Sequence, residues 1–459
     1  MLQMGLKAVL TSPPATESGC VEQECSHLCL TTPRGPVCAC PTGHELSHDN
    51  SSCIVPEAFL IFTRRDDIKR ISIEIEESRD MLIPVRGVME ASALDYDRSD
   101  GRIYWSDMKE KTINRAYTNG SGVEVMVEYG LDYPRGLAVD WITGNIYWSD
   151  AGSGRLEVAT TRGDVVARRV LIWQDLESPE CLALDFDSEK IIWSSWGKEP
   201  VLERSNMEGS EREVIVTSSG RATGLTVDNQ RNLLFWTDQD SLSISFTSLS
   251  SPGHVDTLLQ SGHPYALTSH LNHLYWTDWT SHTINKAALL NHSTALTGET
   301  VLKSGVDYVM DIIVYSSRAD TSPVSPCHKS QCQYLCVPRG SQPRCLCPSH
   351  YSLQSDQISC APPRNFLLFS QKNKISRLYM SQENNNEVPD VVLPLRKARS
   401  IQSVSYDQVS GMVYWVDTGR GDAPVRQVIR RSTDAGHTEM FDRLDKFQPF
   451  DLVIDPSTR

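Results

Sequence analysis

Twelve of the thirteen cysteines fall into two groups of six, which share one spacing. The groups are Cys20, Cys25, Cys29, Cys38, Cys40 and Cys53, and Cys327, Cys332, Cys336, Cys345, Cys347 and Cys360. In both groups the gaps between successive cysteines are 4, 3, 8, 1 and 12 residues. Thiols at this density either form disulfides or bind zinc. A Cys-x-Cys pair and the lack of paired histidines at ligand spacing favour disulfides, although spacing alone leaves every pairing open.

Cys181 is the remaining thiol. It takes the place that Gly136 and Gly224 hold in neighbouring repeats, just before an apolar stretch. We therefore interpret it as a small buried residue, because a reactive thiol needs an exposed and electropositive environment.

Motifs for catalysis and metal binding are sparse. The sequence has no Gly-x-Ser-x-Gly elbow, no His-Glu-x-x-His and no Gly-rich phosphate loop ahead of a helix. His270 and His273, with His292 farther along, come closest to a metal cluster, but no carboxylate accompanies them. We interpret them as solvated surface, and we predict a protein that is not an enzyme and has no metal and no cofactor.

A tetrapeptide built around tryptophan returns at a near-constant interval. Its copies are Tyr104–Asp107, Tyr147–Asp150, Ile192–Ser195, Phe235–Asp238 and Tyr275–Asp278. The tryptophans are 43, 45, 43 and 40 residues apart. This period suits a four-stranded propeller blade or a helical pair. Between the tryptophans lie short runs of β-branched and aromatic residues, separated by Gly, Asn, Asp and Ser. This pattern favours strands over helices.

Two further segments extend the repeat. Phe59–Thr63 precedes Ile68–Arg70 as a degenerate sixth copy, and Tyr308–Val314 supplies one more strand. We predict six blades over residues 56–318, the last closed by strands from both ends of the segment, because closure protects strand edges. The motif tryptophans are assigned to the core, and the recurring aspartates to turns.

The remaining segments complete an all-β organisation. We expect a disordered segment at 1–19, small cysteine modules at 20–55 and 327–361, and a linker at 319–326. The propeller pattern restarts in 362–459 with about two repeats, too few to close a ring. This last part is predicted to be the truncated start of a second propeller, in an excerpt of a longer protein.

Charge and hydropathy bear on partners and location. The chain carries 44 basic and 58 acidic residues, without a dense basic cluster, which argues against nucleic acid as a partner. As written it has no apolar stretch long enough for a membrane span and no convincing signal peptide. Sequons at Asn50, Asn119 and Asn291 predict glycosylation.

Both cysteine groups resemble epidermal-growth-factor-like modules, with Cys-Pro at the fifth position (Cys40-Pro41 and Cys347-Pro348). The acidic signature of the calcium-binding subtype is absent before Cys20 and Cys327, so we predict no calcium. The pairing that this resemblance implies is Cys20–Cys29, Cys25–Cys38 and Cys40–Cys53, then Cys327–Cys336, Cys332–Cys345 and Cys347–Cys360.

A cysteine module followed by a ring of such tetrapeptides resembles ectodomains of the low-density-lipoprotein-receptor type. Within that group the chain is similar to the arrow-type Wnt co-receptors, especially their third propeller. The matching strings are Glu90–Asp95, Gly130–Pro134, Gly220–Ala222, Asp307–Ile312 and Phe366–Lys372.

This resemblance implies that one rim of the propeller binds Wnt proteins and Dickkopf-type antagonists, with a Frizzled-type receptor involved indirectly, at the extracellular face of the plasma membrane. The positions that match the recognition patch, or lie on the same implied face, are Glu90, Ser92, Met108, Tyr133, Trp196, Arg221, Asp240, His263, Tyr265, Trp279, Tyr308 and Met310. Trp196 and Trp279 each follow a motif copy directly, so they should point toward a rim. Exposed aromatic, Met and Arg side chains are typical of protein-binding hot spots.

Two further positions of the implied patch depart from the family. Arg135 stands where an acid is usual, and Glu180 stands where an arginine is usual. These reversals either compensate each other or weaken binding of the usual ligand. Two other hypotheses stay open: a fragment of a lipoprotein-type endocytic receptor, and a non-productive gene fragment.

Overall fold

A computed structural model describes residues 20–455 apart from 21–23, 42–43, 48, 55, 77, 163–165, 291–294, 317–324, 381–388, 396–399, 419–426, 434–437 and 445–449. The segment 1–19 lies outside the described residues, as does most of the expected linker. The described part is all-β apart from one short 3₁₀ helix, Pro326–Lys329. None of its helical structure is long and apolar enough to cross a membrane.

The first cysteine module consists of two small hairpins. Its strands are β1 (Leu28–Thr32), β2 (Gly35–Ala39), β3 (Glu45–Leu46) and β4 (Cys53–Ile54).

Six four-stranded antiparallel sheets follow and form a ring. The strands that open this region are β5 (Ala58–Arg64), β6 (Asp67–Ser72) and β7 (Met81–Leu82). Blade 1 consists of β8 (Ala91–Asp97), β9 (Arg102–Asp107), β10 (Thr112–Tyr117) and β11 (Glu124–Val127). Blade 2 consists of β12 (Pro134–Asp140), β13 (Asn145–Asp150), β14 (Arg155–Thr160) and β15 (Arg168–Ile172). Blade 3 consists of β16 (Pro179–Asp185), β17 (Lys190–Ser195), β18 (Val201–Asn206) and β19 (Glu213–Thr217). Blade 4 consists of β20 (Ala222–Asp228), β21 (Leu233–Asp238), β22 (Ser243–Ser248) and β23 (Asp256–Gln260). Blade 5 consists of β24 (Pro264–His270), β25 (His273–Asp278), β26 (Thr283–Leu289) and β27 (Leu296–Ser304).

Blade 6 closes the ring with strands from both ends of the region. Its order is β28 (Val309–Ser316), β5, β6 and β7, so the last strand of the propeller pairs with the first. The first strand of each of the other blades, together with β28, surrounds the central axis in the order β8, β12, β16, β20, β24, β28. This confirms the six-bladed propeller and its closure.

Side-chain alternation along the motif strand explains why the tetrapeptide recurs. Successive side chains of a strand point to opposite faces, so the tyrosine and the tryptophan of one motif face different neighbouring blades. Tyr104 of blade 1 packs in one cluster with Trp148 of blade 2, and Tyr147 packs with Trp193 of blade 3. In blade 6, Phe62 takes the tryptophan position and packs near Tyr275. The motif tryptophans are at most 1% exposed.

The second cysteine module follows the 3₁₀ helix and packs on the propeller. Its strands are β29 (Leu335–Arg339), β30 (Gln342–Leu346), β31 (Ser352–Leu353) and β32 (Cys360–Ala361). Leu335 and Val337 are completely buried in a cluster with Leu171 and Met207 of blades 2 and 3. Arg339 and Arg344 form ion pairs with Glu208 at the edge of this contact.

Each cysteine module holds three disulfides, in the order that the resemblance implies. The pairs are Cys20–Cys29, Cys25–Cys38, Cys40–Cys53, Cys327–Cys336, Cys332–Cys345 and Cys347–Cys360.

The final part consists of two further sheets with the blade pattern. Their strands are β33 (Phe366–Gln371), β34 (Lys374–Tyr379), β35 (Val391–Val392), β36 (Ile401–Asp407), β37 (Met412–Asp417), β38 (Gln427–Thr433) and β39 (Glu439–Leu444). Trp415 is completely buried, as its counterparts are in the closed ring.

Candidate functional site

The motif aspartates shape the rim at which the second strand of each blade ends. In blade 5, Asp278 accepts hydrogen bonds from the backbone N–H groups of Gly262, His263, Thr280 and Ser281. One carboxylate thus ties two consecutive rim loops together. Burial opposes ionisation of this group, but the hydrogen bonds from the Ser261 hydroxyl and the backbone lower the pKa of Asp278 to about 2. These aspartates therefore position the loops, which is the structural role that the sequence predicted for them.

Beside Asp278 lies a group of four aromatic rings in which the other three contact Trp279; we call His263, Tyr265, Trp279 and Tyr308 the aromatic patch. The Trp279 ring stacks on Tyr265 with centroids 3.8 Å apart and an interplanar angle of 14°. Tyr308 meets Trp279 edge-on at 5.8 Å, and the His263 ring lies at 5.5 Å. The Trp279 indole N–H donates to the Val309 carbonyl at 2.9 Å, which fixes the ring. Tyr308 is 53% exposed, so the patch opens to solvent on one side.

Arg135 and Glu180, the two departures from the family, form an ion pair with each other. Arg135 Nε lies 2.5 Å from Glu180 Oε2, and the two side chains are only 14% and 8% exposed. Arg135 Nη2 also donates to the Tyr265 hydroxyl at 3.1 Å. Burial disfavours the charged guanidinium, but Tyr265 and Glu180 outweigh it, so the pKa of Arg135 is raised. The opposite charges of Arg135 and Glu180 therefore neutralise each other within the chain.

A second cluster lies on blades 3 and 4. The Trp196 indole N–H donates to the Ala222 carbonyl at 3.0 Å, and the Arg221 guanidinium lies 5.8 Å from the centre of the Trp196 ring. Arg221 forms an exposed ion pair with Asp240 at 2.8 Å. The cluster combines an anchored indole with a solvent-exposed charge pair, but it is separate from the aromatic patch.

The remaining predicted positions differ in exposure. Tyr133 is 45% exposed, whereas Met108 and Ser92 are buried. The Ser92 hydroxyl is used internally, since it donates to the Pro134 carbonyl at 2.8 Å. Glu90 is half-buried and Met310 packs half-buried against the core beneath the aromatic patch. Ser92 and Met108 therefore hold supporting positions beneath the rim.

Comparison with known proteins places the chain. Residues 101–141 and 144–186 match the family described as low-density lipoprotein receptor repeat class B. The chain is 42% identical over 467 residues to low-density lipoprotein receptor-related protein 5 of Homo sapiens, covering 99% of this chain and 28% of that protein. The chain is thus similar to the low-density lipoprotein receptor-related proteins along nearly its whole length. Low-density lipoprotein receptor-related protein 4 of Mus musculus is 34% identical over 414 residues, covering 88% of this chain and 21% of that protein.

The chain spans under a third of the length of the curated relatives it matches. Among solved structures, a chain from the crystal structure of a nidogen/laminin complex aligns with a TM-score of 0.52 and 24% identity. The match covers 57% of this chain and all of the other. It supports the propeller fold alone.

Three rim contacts were not predicted from the sequence. His282 Nδ1 lies 2.7 Å from Asp307 Oδ1, next to Tyr308, and the guanidinium of Arg65 lies 4.9 Å from the Tyr308 ring centre. Lys111 pairs with Asp132 across two rim loops at 2.5 Å. The residues of these contacts lie in loops next to a motif aspartate or to the following inner strand. Their place in the repeat is the sequence signal that could have identified them as rim residues.

The other candidate residues are the predicted glycosylation sites and the histidines. Asn119 lies exposed in the turn after β10, at the end of that strand away from the rim, and Asn50 is exposed in the first cysteine module. Asn291 and His292 lie outside the described residues. His270 and His273 flank the turn between β24 and β25. Within the described part of the chain, no group of three or more His, Cys, Asp or Glu side chains is placed to hold a metal ion.

Proposed function

We propose that this chain is the extracellular ligand-binding part of a Wnt co-receptor, and that the propeller rim binds Wnt and Dickkopf-type proteins. The aromatic patch is the observation that carries the proposal. Trp279 is held by a stack on Tyr265 and by a hydrogen bond to Val309, and it lies beside the exposed Tyr308. Pre-organised aromatic side chains bind proteins with little loss of side-chain entropy on association.

The other face of the propeller is less suited to a large ligand. The second cysteine module covers part of it, with Leu335 and Val337 buried between blades 2 and 3. Asn119, a candidate glycan site, lies at the same end of the blades. A glycan there would leave the rim free.

We infer a binding role rather than a catalytic one, at the extracellular face of the plasma membrane in the parent receptor. A Frizzled-type receptor would take part indirectly, through a shared Wnt ligand. Two exposed ion pairs lie at the rim within the chain, Arg221 with Asp240 and Lys111 with Asp132. Such pairs would contribute to partner selection and association rate more than to affinity.

The test measures binding of the full chain, secreted behind a heterologous signal peptide, to an immobilised Dickkopf carboxy-terminal domain and to a Wnt protein. We expect Trp279→Ala to weaken binding by at least ~2 kcal/mol, or about 30-fold. Tyr117→Ala is the matched control, because Tyr117 is 37% exposed at the far end of β10. Absence of binding by the folded wild type to either ligand would refute the proposal.

The alternative function is that of a lipoprotein-type endocytic receptor fragment, which releases its ligand in acid. The placement of His263 beside Trp279, and of His282 beside Asp307, favours this candidate. Measuring affinity for lipoprotein particles at about pH 7.4 and about pH 5.5 separates the two functions. The endocytic function requires lipoprotein binding that is lost in acid.

A further inference from the structure

Arg135 crosses the mouth of the central channel. It extends from β12 of blade 2 and pairs with Glu180 on β16 of the adjacent blade. Its second partner, Tyr265, lies on β24 of blade 5, and β12 and β24 are opposite each other in the order of inner strands. One guanidinium therefore connects blades 2, 3 and 5 at the rim, and it also contacts the sulfur of Met108 in the loop after β9 of blade 1.

Tyr265 links this contact to the candidate hot spot. Its hydroxyl accepts the hydrogen bond from Arg135, while its ring stacks on Trp279 at 3.8 Å. The position of the Tyr265 ring is thus defined at one end by a charged donor and on one face by the indole. A shift of Tyr265 would remove the surface against which Trp279 lies.

Glu180 keeps the guanidinium in place. Both members of the pair are nearly buried, and removing one partner of a buried ion pair leaves an uncompensated charge in a poorly solvated site. Without Glu180 we expect Arg135 to turn toward water and away from Tyr265. Since the two side chains are only 14% and 8% exposed, they offer little surface to a ligand.

We propose that Glu180 and Arg135 are positioning residues, which determine affinity by holding the Tyr265–Trp279 stack across the channel rather than by touching the ligand. This inference rests on the proposed function where affinity for the Dickkopf domain is measured. The environment of Trp279, measured without ligand, tests it independently of that function. It assigns to the two family departures a role different from the direct ligand contact that the sequence suggested.

The test uses the full chain labelled with 5-fluorotryptophan, in which the Trp279 resonance is assigned with Trp279→Phe. Glu180→Gln removes the charge partner, and Tyr265→Phe removes only the hydroxyl that receives the bond. Both variants should shift the Trp279 fluorine resonance without ligand and lower the affinity for the Dickkopf carboxy-terminal domain by ~3- to 10-fold. Glu213→Gln is the matched control, because Glu213 pairs with Arg204 at 2.7 Å on the outer side of blade 3. It should change neither quantity.

The double variant Arg135→Met with Glu180→Gln separates positioning from simple charge neutralisation. It leaves no unpaired charge on β12 or β16, but it removes the guanidinium that reaches Tyr265. Affinity should stay reduced and the Trp279 resonance should stay shifted. Recovery of the wild-type affinity and of the wild-type Trp279 resonance would overturn the proposal, because removing the unpaired charge would then be sufficient.

Failure of this inference is distinguishable from failure of the proposed function. If the wild type does not bind the Dickkopf domain, the proposed function fails, and the fluorine spectra still decide whether the pair positions Trp279. If the wild type binds but Glu180→Gln and Tyr265→Phe leave the resonance and the affinity unchanged, the positioning role is wrong. Should Glu180→Gln fail to fold, Tyr265→Phe alone decides, because it keeps the ring.

Discussion

Leu335 and Leu28 offer a matched test of how the second cysteine module is held on the propeller. Each directly precedes the third cysteine of its module, Cys336 or Cys29, so the two leucines occupy the same place in duplicated units. Leu335 is completely buried against the propeller, whereas Leu28 is 48% exposed. The same substitution therefore probes one chemistry in two environments.

The expected cost of Leu335→Ala follows from this burial. Removing a buried leucine side chain costs ~2–5 kcal/mol, as lost transfer free energy plus the cavity left behind. Three disulfides within the module should keep it folded, so the cost should fall on its docking to blades 2 and 3. Leu28→Ala should cost less than ~0.5 kcal/mol, because exposed positions contribute little.

Amide hydrogen exchange at the interface measures this cost directly. The Val170 amide donates to the Ser349 hydroxyl at 2.8 Å, and the Ser349 amide donates to the Arg168 carbonyl at 3.0 Å. Both bonds break when the module leaves the propeller, so Leu335→Ala should speed exchange of both amides at least ~30-fold. Equal exchange in Leu335→Ala and the wild type would refute the view that apolar burial holds the module.

Three further predictions concern titrating groups. Burial and Arg377 lower the pKa of His350 to about 4, and Nδ1 of the neutral ring accepts from Arg377. The folded state thus binds its proton less readily, so thermal stability should fall from about pH 6.5 toward pH 4, and His350→Gln should flatten this dependence. Burial raises the pKa of Cys181 to about 12, so iodoacetamide at about pH 8 should label it only after unfolding, as mass spectrometry can show. The lowered pKa of Asp278 stabilises the fold at pH values above the ordinary aspartate pKa near 4, so the stability that Asp278→Asn loses at neutral pH should shrink in acid unfolding toward pH 2.

The repeat made the fold predictable from sequence. Tyr147 and Trp148 recur with the blade period because each motif must fill two blade contacts at once, one on either face of its strand. The same pattern predicted blade 6, where Phe62 takes the packing position of the motif tryptophan and β28 closes the ring. Sequence periodicity predicts such features because every blade faces the same packing requirement.

Exposure at the rim was less predictable. The resemblance grouped Ser92, Met108 and Tyr265 with Tyr308, but the first three are buried and Tyr308 is 53% exposed. A position near a strand end can point into the channel, beneath a loop or into solvent, and the loop conformation decides which. The motif locates the aspartates, such as Asp278, that hold these loops through backbone hydrogen bonds, but it does not determine where each neighbouring side chain points.

The relation between Arg135 and Tyr265 depends on ring closure and could not be read from either residue alone. They are 130 positions apart, and no local pattern connects them. Only when β28 pairs with β5 do β12 and β24 come to lie opposite each other across the channel. Two charge reversals that look independent in the sequence then become one ion pair with a common neighbour. From β12, Arg135 both pairs with Glu180 on β16 and reaches the hydroxyl of Tyr265, whose ring supports Trp279.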